Sequence, residues 1–229
     1  MSQPVAAGQT GSSQQAQAPQ CVILLHGLVR SPASMTKLAK RLEREGYRVV
    51  NQGYKSRKFT VAELAAPTIN TAIGQCPKQA TVHFVTHSMG GILLRHYLKN
   101  TPLKRLGRVV MLGPPNHGSQ VVDKMANVPG FGLINGKAGD ELGTGAKELA
   151  AILGPADFDL GVIAGTKTIN PILSAMLPGP NDGKVTVAST KLEGMNAHLI
   201  MPVAHPFLMT NNKALNQVVW FLAHGRFKS

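Results

Sequence analysis

The stretch from Val82 to Leu94 reads Val-His-Phe-Val-Thr-His-Ser-Met-Gly-Gly-Ile-Leu-Leu, an apolar run of strand character passing directly into one of helical character. Ser88 stands at the join. A serine on a sharp strand-to-helix turn is prepared for nucleophilic attack. The turn holds its hydroxyl clear of neighbours, and the helix N-terminus aims backbone N–H groups at developing negative charge. Gly90 lets such a turn close without a Cβ clash. A Ser-x-Gly triplet alone says little in a chain with 24 glycines, so the setting carries the weight. A serine that merely caps the helix is the simpler reading, and it stays open here.

Such a serine needs a scaffold. From Cys21 onward short apolar runs alternate with stretches of helical period, the pattern of a parallel α/β sheet. Strands are predicted at Cys21–Leu25, Tyr47–Asn51, Thr81–Thr86, Arg108–Gly113, Leu160–Thr166 and Ala197–Val203. The first helix is well punctuated: Ser31 at the N-cap, Pro32 in the first turn, Met35, Leu38, Ala39 and Leu42 as the apolar stripe, and Gly46 as the stop. A second begins near Thr60 and ends before Cys76-Pro77, with Pro67 expected to bend it or delay its start. A third runs from about Ser88 to Asn100, and a closing helix covers Leu215–His224. Residues 114–159 read as a lid insertion, with helices near Ser119–Asn127 and Ala146–Leu153. Residues 1–20 carry no charge and read as a flexible tail lacking the basic start and apolar core of a secretory signal. One domain over residues 21–229 is the expected organisation.

With these elements in place, the chain resembles the α/β-hydrolase superfamily, and within it the bacterial lipase- and esterase-like serine hydrolases. The resemblance extends from Cys21 to the final helix. The family elbow is G-x-S-x-G; this chain has Thr86-His87-Ser88-Met89-Gly90, with Thr in the first glycine position. The resemblance implies a mostly parallel sheet with helices on both faces. It also implies an oxyanion hole of two backbone amides, by position Leu28, after His26-Gly27, and Met89, after the nucleophile. Leu112-Gly113-Pro114-Pro115-Asn116-His117-Gly118-Ser119 is similar to the family segment L-x-T-P-H-x-G-T with shifted spacing, and is expected to form an active-site wall and lid anchor.

The family order is serine, acid, histidine. Asp157 and Asp159 precede the strand at Leu160 and would lie at its wrong end. Asp182, in Asn181-Asp182-Gly183-Lys184-Val185, follows it in a turn-rich loop and is similar to the family's acid motif. Among eight histidines, His205 falls between the last strand and the last helix, where this fold delivers its imidazole. His198 inside the last strand and His224 near the end of the last helix read as structural. The implied mechanism is attack by Ser88, proton transfer by His205 and orientation by Asp182.

No cofactor and no metal are expected: no G-x-G-x-x-G follows the first strand, and no His-Glu-x-x-His occurs. Cys21 and Cys76 are conceivable disulfide partners, with free thiols in a reducing, cytoplasmic setting the favoured reading. The formal charge is +13, and residues 1–108 hold 15 basic and 3 acidic side chains. Lys37, Lys40, Arg41 and Arg44 share one helix face, and Arg95 and Lys99 lie a turn apart on another, so an anionic membrane surface is a candidate partner. Nucleic acid is not expected, because no motif for it accompanies the charge. The expected activity is hydrolysis of carboxylic esters of short to medium acyl chains, lipids among them. Val128, Phe131, Leu133 and Ile134 would line the pocket mouth, too few for an extensive lid. An acyl-thioesterase or acyltransferase with the same triad, and a silent hydrolase-like binding protein, remain open alternatives.

Overall fold

A computed structural model of the chain describes residues 18–125, 136–139, 141–143 and 152–229. Its strands are β1 (Gln20–Leu25), β2 (Arg48–Gln52), β3 (Thr81–His87), β4 (Leu106–Leu112), β5 (Leu160–Lys167) and β6 (Ala197–Ala204). They form one sheet in the order β2-β1-β3-β4-β5-β6, and every pairing is parallel. The continuous Val, Ile and Leu runs reflect burial on both faces. On β1, Cys21, Ile23 and Leu25 face the layer of α2 (Val61–Gly74) and α3 (Met89–Asn100). Val22 and Leu24 face α1 (Thr36–Arg44) and α7 (Asn212–His224). The period-two alternation of strand side chains thus divides the core into two layers. All six strands fall where the sequence places them, to within two residues.

The helices differ in instructive ways. The turn after Ser31 is a 3-10 segment, Pro32–Met35, before α1 begins, and the Ser31 side chain makes no cap bond. Pro67 does not delay α2. Thr60 and Glu63 form a reciprocal capping box that fixes the start at Val61, and the helix continues through the proline. α7 begins at Asn212 instead of Leu215, because Asn211 accepts a hydrogen bond from the Ala214 amide. Three further short helices are α4 (Gln120–Met125), α5 (Pro171–Ala175) and α6 (Val187–Thr190). α4 lies inside the stretch anticipated at 119–127. Most of the helix expected at Ala146–Leu153, with Val128, Phe131, Leu133 and Ile134, lies outside the described residues.

One expectation is overturned. Cys21 and Cys76 are joined in a disulfide and are not free thiols. The reason lies in the packing of α2. Cys21 points to the sheet face that α2 covers, and Cys76 leaves the end of α2 directly above it, with Cα atoms 5.9 Å apart. Among the described residues, no helix is long and apolar enough to cross a membrane.

Candidate active site

β3 ends at His87, α3 begins at Met89, and Ser88 between them has φ 54° and ψ −123°. A residue with a side chain occupies that region only under constraint. The constraint is visible in the two glycines that follow. A Cβ on Gly90 would stand 2.5 Å from the Leu25 carbonyl oxygen and 2.9 Å from that of His26, so the helix start presses directly on the end of β1. A Cβ on Gly91 would meet Thr86 Oγ1 at 3.2 Å; its absence makes room for the threonine at the family's glycine position. The Ser88 amide donates to the Leu112 carbonyl at 2.9 Å, tying the turn to β4. The half-buried Ser88 side chain makes no cap bond to α3, so the capping alternative loses its support. Met89, first in its helix, has an N–H with no intrahelical acceptor.

The loop after β1 lies against this serine. A Cβ on Gly27 would be 3.2 Å from the Ser88 Cβ and 2.8 Å from His87 Nδ1, and Leu28 is the next residue. The loop is fastened at three points. His26 Nδ1 meets the Gly27 carbonyl at 2.9 Å, the His26 ring stacks on Tyr54 at 4.1 Å, and the Val29 amide donates to Ser56 Oγ at 3.2 Å. The Tyr54 hydroxyl also donates to the His26 carbonyl. Burial lowers the His26 pKa and favours a neutral ring that donates from Nδ1.

The acid and the imidazole meet at the far side. His205 Nδ1 lies 2.7 Å from Asp182 Oδ2, and both side chains are almost fully buried. Asp182 Oδ1 accepts from the Lys184 and Val185 amides at 3.0 and 2.8 Å. An acceptor-only carboxylate requires the proton on Nδ1, which leaves Nε2 to exchange one. Two glycines make this approach. Gly165 in β5 brings the sheet beneath Asp182, where a Cβ would be 2.8 Å from its Cβ. Gly113, with φ 55° just after β4, lies under the pair, where a Cβ would be 3.0 Å from His205 Nδ1 and 3.1 Å from Asp182 Oδ2. Gly113 follows Leu112, which accepts from Ser88, so the serine turn and the acid–imidazole pair share the C-terminal edge of the sheet.

His87, which precedes the serine and so falls outside the serine, acid, histidine order, packs against the pair. Its Nε2 donates to the His205 carbonyl at 3.1 Å, and the two rings lie 4.8 Å apart. Burial, followed by the neighbouring His205, drives its pKa well below the usual value. Only its place inside the elbow hinted at this in the sequence. The other candidates are occupied elsewhere. His198 Nε2 pairs with Thr190 Oγ1 at 2.9 Å, His224 stacks on Trp220, and Asp159 faces Arg108 at 3.6 Å at the start of β5.

The segment after β4 braces the acid loop. Ser119 Oγ donates to the Lys184 carbonyl, and Asn116 Nδ2 donates to that of Thr190. The expectation for Arg95 needs correction: it is buried and takes no part in an exposed basic face. Its guanidinium donates to the Asn116 carbonyl, to Asn116 Oδ1 and to the Gly154 carbonyl, and burial lowers its pKa to about 10. A side chain read as surface charge is therefore a brace for the segment after β4.

No protein-family model and no curated protein matches the sequence. Solved structures do. Mature lipase BlEst2 of Bacillus licheniformis superposes with a TM-score of 0.68 at 19% identity, over 92% of this chain and 93% of that one. Phospholipase PlaB of Legionella pneumophila gives 0.70 at 19% identity, over 92% of this chain and 60% of PlaB. The metagenomic carboxyl esterase MGS0156 gives 0.65 at 21% identity, over 88% and 70%. At these identities the likeness is one of architecture, and the architecture of this chain is the α/β-hydrolase fold.

Proposed function

We propose that the chain is a serine hydrolase of carboxylic esters that works through an acyl-enzyme. Ser88 Oγ attacks the ester carbonyl while His205 Nε2 takes its proton. Asp182 keeps the imidazole in the required tautomer and supports its positive charge. The Leu28 and Met89 amides stabilise the tetrahedral oxyanion. His205 then returns the proton to the departing alcohol, and water, activated by the same imidazole, releases the acid and regenerates Ser88. The observation that carries the reading is the buried Asp182–His205 pair on the sheet edge that also bears the strained Ser88 turn. Three structural neighbours, a lipase, a phospholipase and a carboxyl esterase, favour esters over other acyl substrates.

The proposed preference is for short to medium acyl chains, on the strength of the glycine-rich insertion. An exposed α1 face with Lys37, Lys40 and Arg44 remains the proposed contact for an anionic surface. The Cys21–Cys76 disulfide favours an oxidising compartment over the cytoplasm. A fluorophosphonate probe tests the mechanism. Stoichiometric labelling that disappears in a folded Ser88→Ala variant, with loss of ester turnover, is the expected outcome. Turnover that survives Ser88→Ala overturns it. kcat/KM across a series of acyl lengths checks the chain-length preference.

A further inference from the structure

The loop that carries Leu28 also walls a second recess. A hollow of about 350 Å³ opens between Val29 and Arg30 on one side and residues 54–58 on the other. Among the described residues its lining includes Arg30, Lys55, Arg57 and Lys58 and no carboxylate. Arg30, Lys55 and Lys58 are exposed, and among the described residues none of these three is ion-paired. The recess is tied to the reacting centre by construction. Val29 is bonded to Ser56, the Arg30 amide closes a turn onto the Gly27 carbonyl at 3.3 Å, and Gly27 lies against Ser88. Only Val29 separates Arg30 from Leu28, so their Cα atoms are at most about 7 Å apart. The charge of Arg30 reaches inward as well, adding to the burial that lowers the pKa of both His87 and Lys184.

We propose that this recess receives a negatively charged substituent of the substrate, so that the esters cleaved carry a phosphate or carboxylate recognised by Arg30, Lys55 and Lys58. The proposal rests on the ester-hydrolase reading and names the substrate class within it. Arg30, Lys55 and Lys58, none of them ion-paired among the described residues, repel one another across the hollow, and an anion on the substrate relieves that repulsion. The guanidinium of Arg30 suits bidentate hydrogen bonding to either group, and the two lysines add charge around it. The recess is beside the site of bond cleavage, so these side chains position substrate and do not take part in proton transfer. Their effect belongs in KM.

A matched pair of soluble esters tests this: butanoyl glycerol phosphate and uncharged butanoylglycerol. The wild-type protein should prefer the phosphorylated ester by about tenfold in kcat/KM, the difference residing in KM. That preference should shrink as salt rises from about 0.05 to 0.5 M. In Arg30→Gln, and in Lys55→Gln combined with Lys58→Gln, the charged-over-neutral ratio should fall toward one while melting temperatures stay near wild type. Vesicles of phosphatidylglycerol and phosphatidylcholine form a second arm. A preference for phosphatidylglycerol alongside the soluble result identifies a lipid headgroup as the source of the anion; its absence there leaves a soluble ester. A preference confined to vesicles overturns the proposal, since the charge is then read from a surface. So does a ratio that the substitutions leave unchanged. Calorimetric binding of glycerol phosphate to Ser88→Ala, lost on adding Arg30→Gln, supports the anion site even if no ester is turned over. That separates failure of the site from failure of the hydrolase reading.

Discussion

His205 and Asp182 are joined twice: the imidazole Nδ1 meets the carboxylate at 2.7 Å, and the His205 amide donates to the Asp182 carbonyl at 3.1 Å. The backbone bond would survive loss of the carboxylate, so a substitution at Asp182 isolates the chemistry from the placement. Asp182→Asn can turn its amide N–H toward Nδ1 and favour the tautomer with the proton on Nε2, which cannot accept from Ser88. A fall in kcat of about 10⁴ is expected. Asp157→Asn and Asp159→Asn should keep most activity, because both stand at the opposite end of β5. Steady-state kinetics on one soluble ester compares all three.

The Ser88 backbone, at φ 54°, stores strain of about 1–3 kcal/mol. Ser88→Ala keeps the side-chain conflict, whereas Ser88→Gly removes it. Both variants should be inactive, but the glycine variant should be more stable than the alanine variant by about 1 kcal/mol. Denaturant unfolding measures the difference. Equal stabilities would mean that the turn is relaxed.

Reduction of the Cys21–Cys76 bond releases a closed loop spanning a sequence separation of 55 residues. The expected loss is about 4 kcal/mol of stability, seen as a lower melting temperature in reductant. Ester turnover at moderate temperature should persist, since Cys21 is at the N-terminal end of β1 and Ser88 follows the C-terminal end of β3. Titration of the unreduced, unfolded chain should find no free thiol.

Three histidines make the fold acid-sensitive. Burial lowers the pKa of His26, takes that of His83 to about 4 with help from the Arg108 charge, and drives that of His87 well below 6.5. Unfolded, each takes a proton near pH 6.5; folded, each resists it. The unfolded chain therefore binds more protons below that point. Stability should be fully present above about pH 6.5 and decline as pH falls toward 4. Melting temperatures across that range test the slope, and His83→Gln should flatten it.

Arg95→Met should destabilise the protein by about 3 kcal/mol, because the carbonyls of Asn116 and Gly154 lose a charged donor in a buried setting. Binding to anionic vesicles should be unaffected, whereas charge reversal at Lys37, Lys40 and Arg44 should weaken it.

Much of this protein is written in local sequence. The central strands are legible because their apolar runs are bounded by turn residues and burial on both faces demands that composition; the edge strand β2, Arg48–Gln52, carries only a short Val-Val core of that signal. Ser88 is legible because strand, serine and paired glycines are contiguous. Asp182 and His205 are singled out by the family resemblance, which expects an acid and an imidazole in the loops after the fifth and sixth strands. Other features depend on partners distant in the chain. Arg95 and Lys99 look alike on a helical wheel, and only the return of residues 116 and 154 over α3 makes one of them buried. The cysteine pairing needed α2 to lie on the face to which Cys21 points, a choice between two faces that spacing does not make. His87 gained its task because β6 delivers the His205 backbone to it across 118 residues. The recess at Arg30 exists because Ser56 and Tyr54, after β2, fasten a loop that follows β1. Local periodicity determines which residues are inside; the packing of layers determines which of them meet, because that depends on the three-dimensional course of chain segments far apart in sequence.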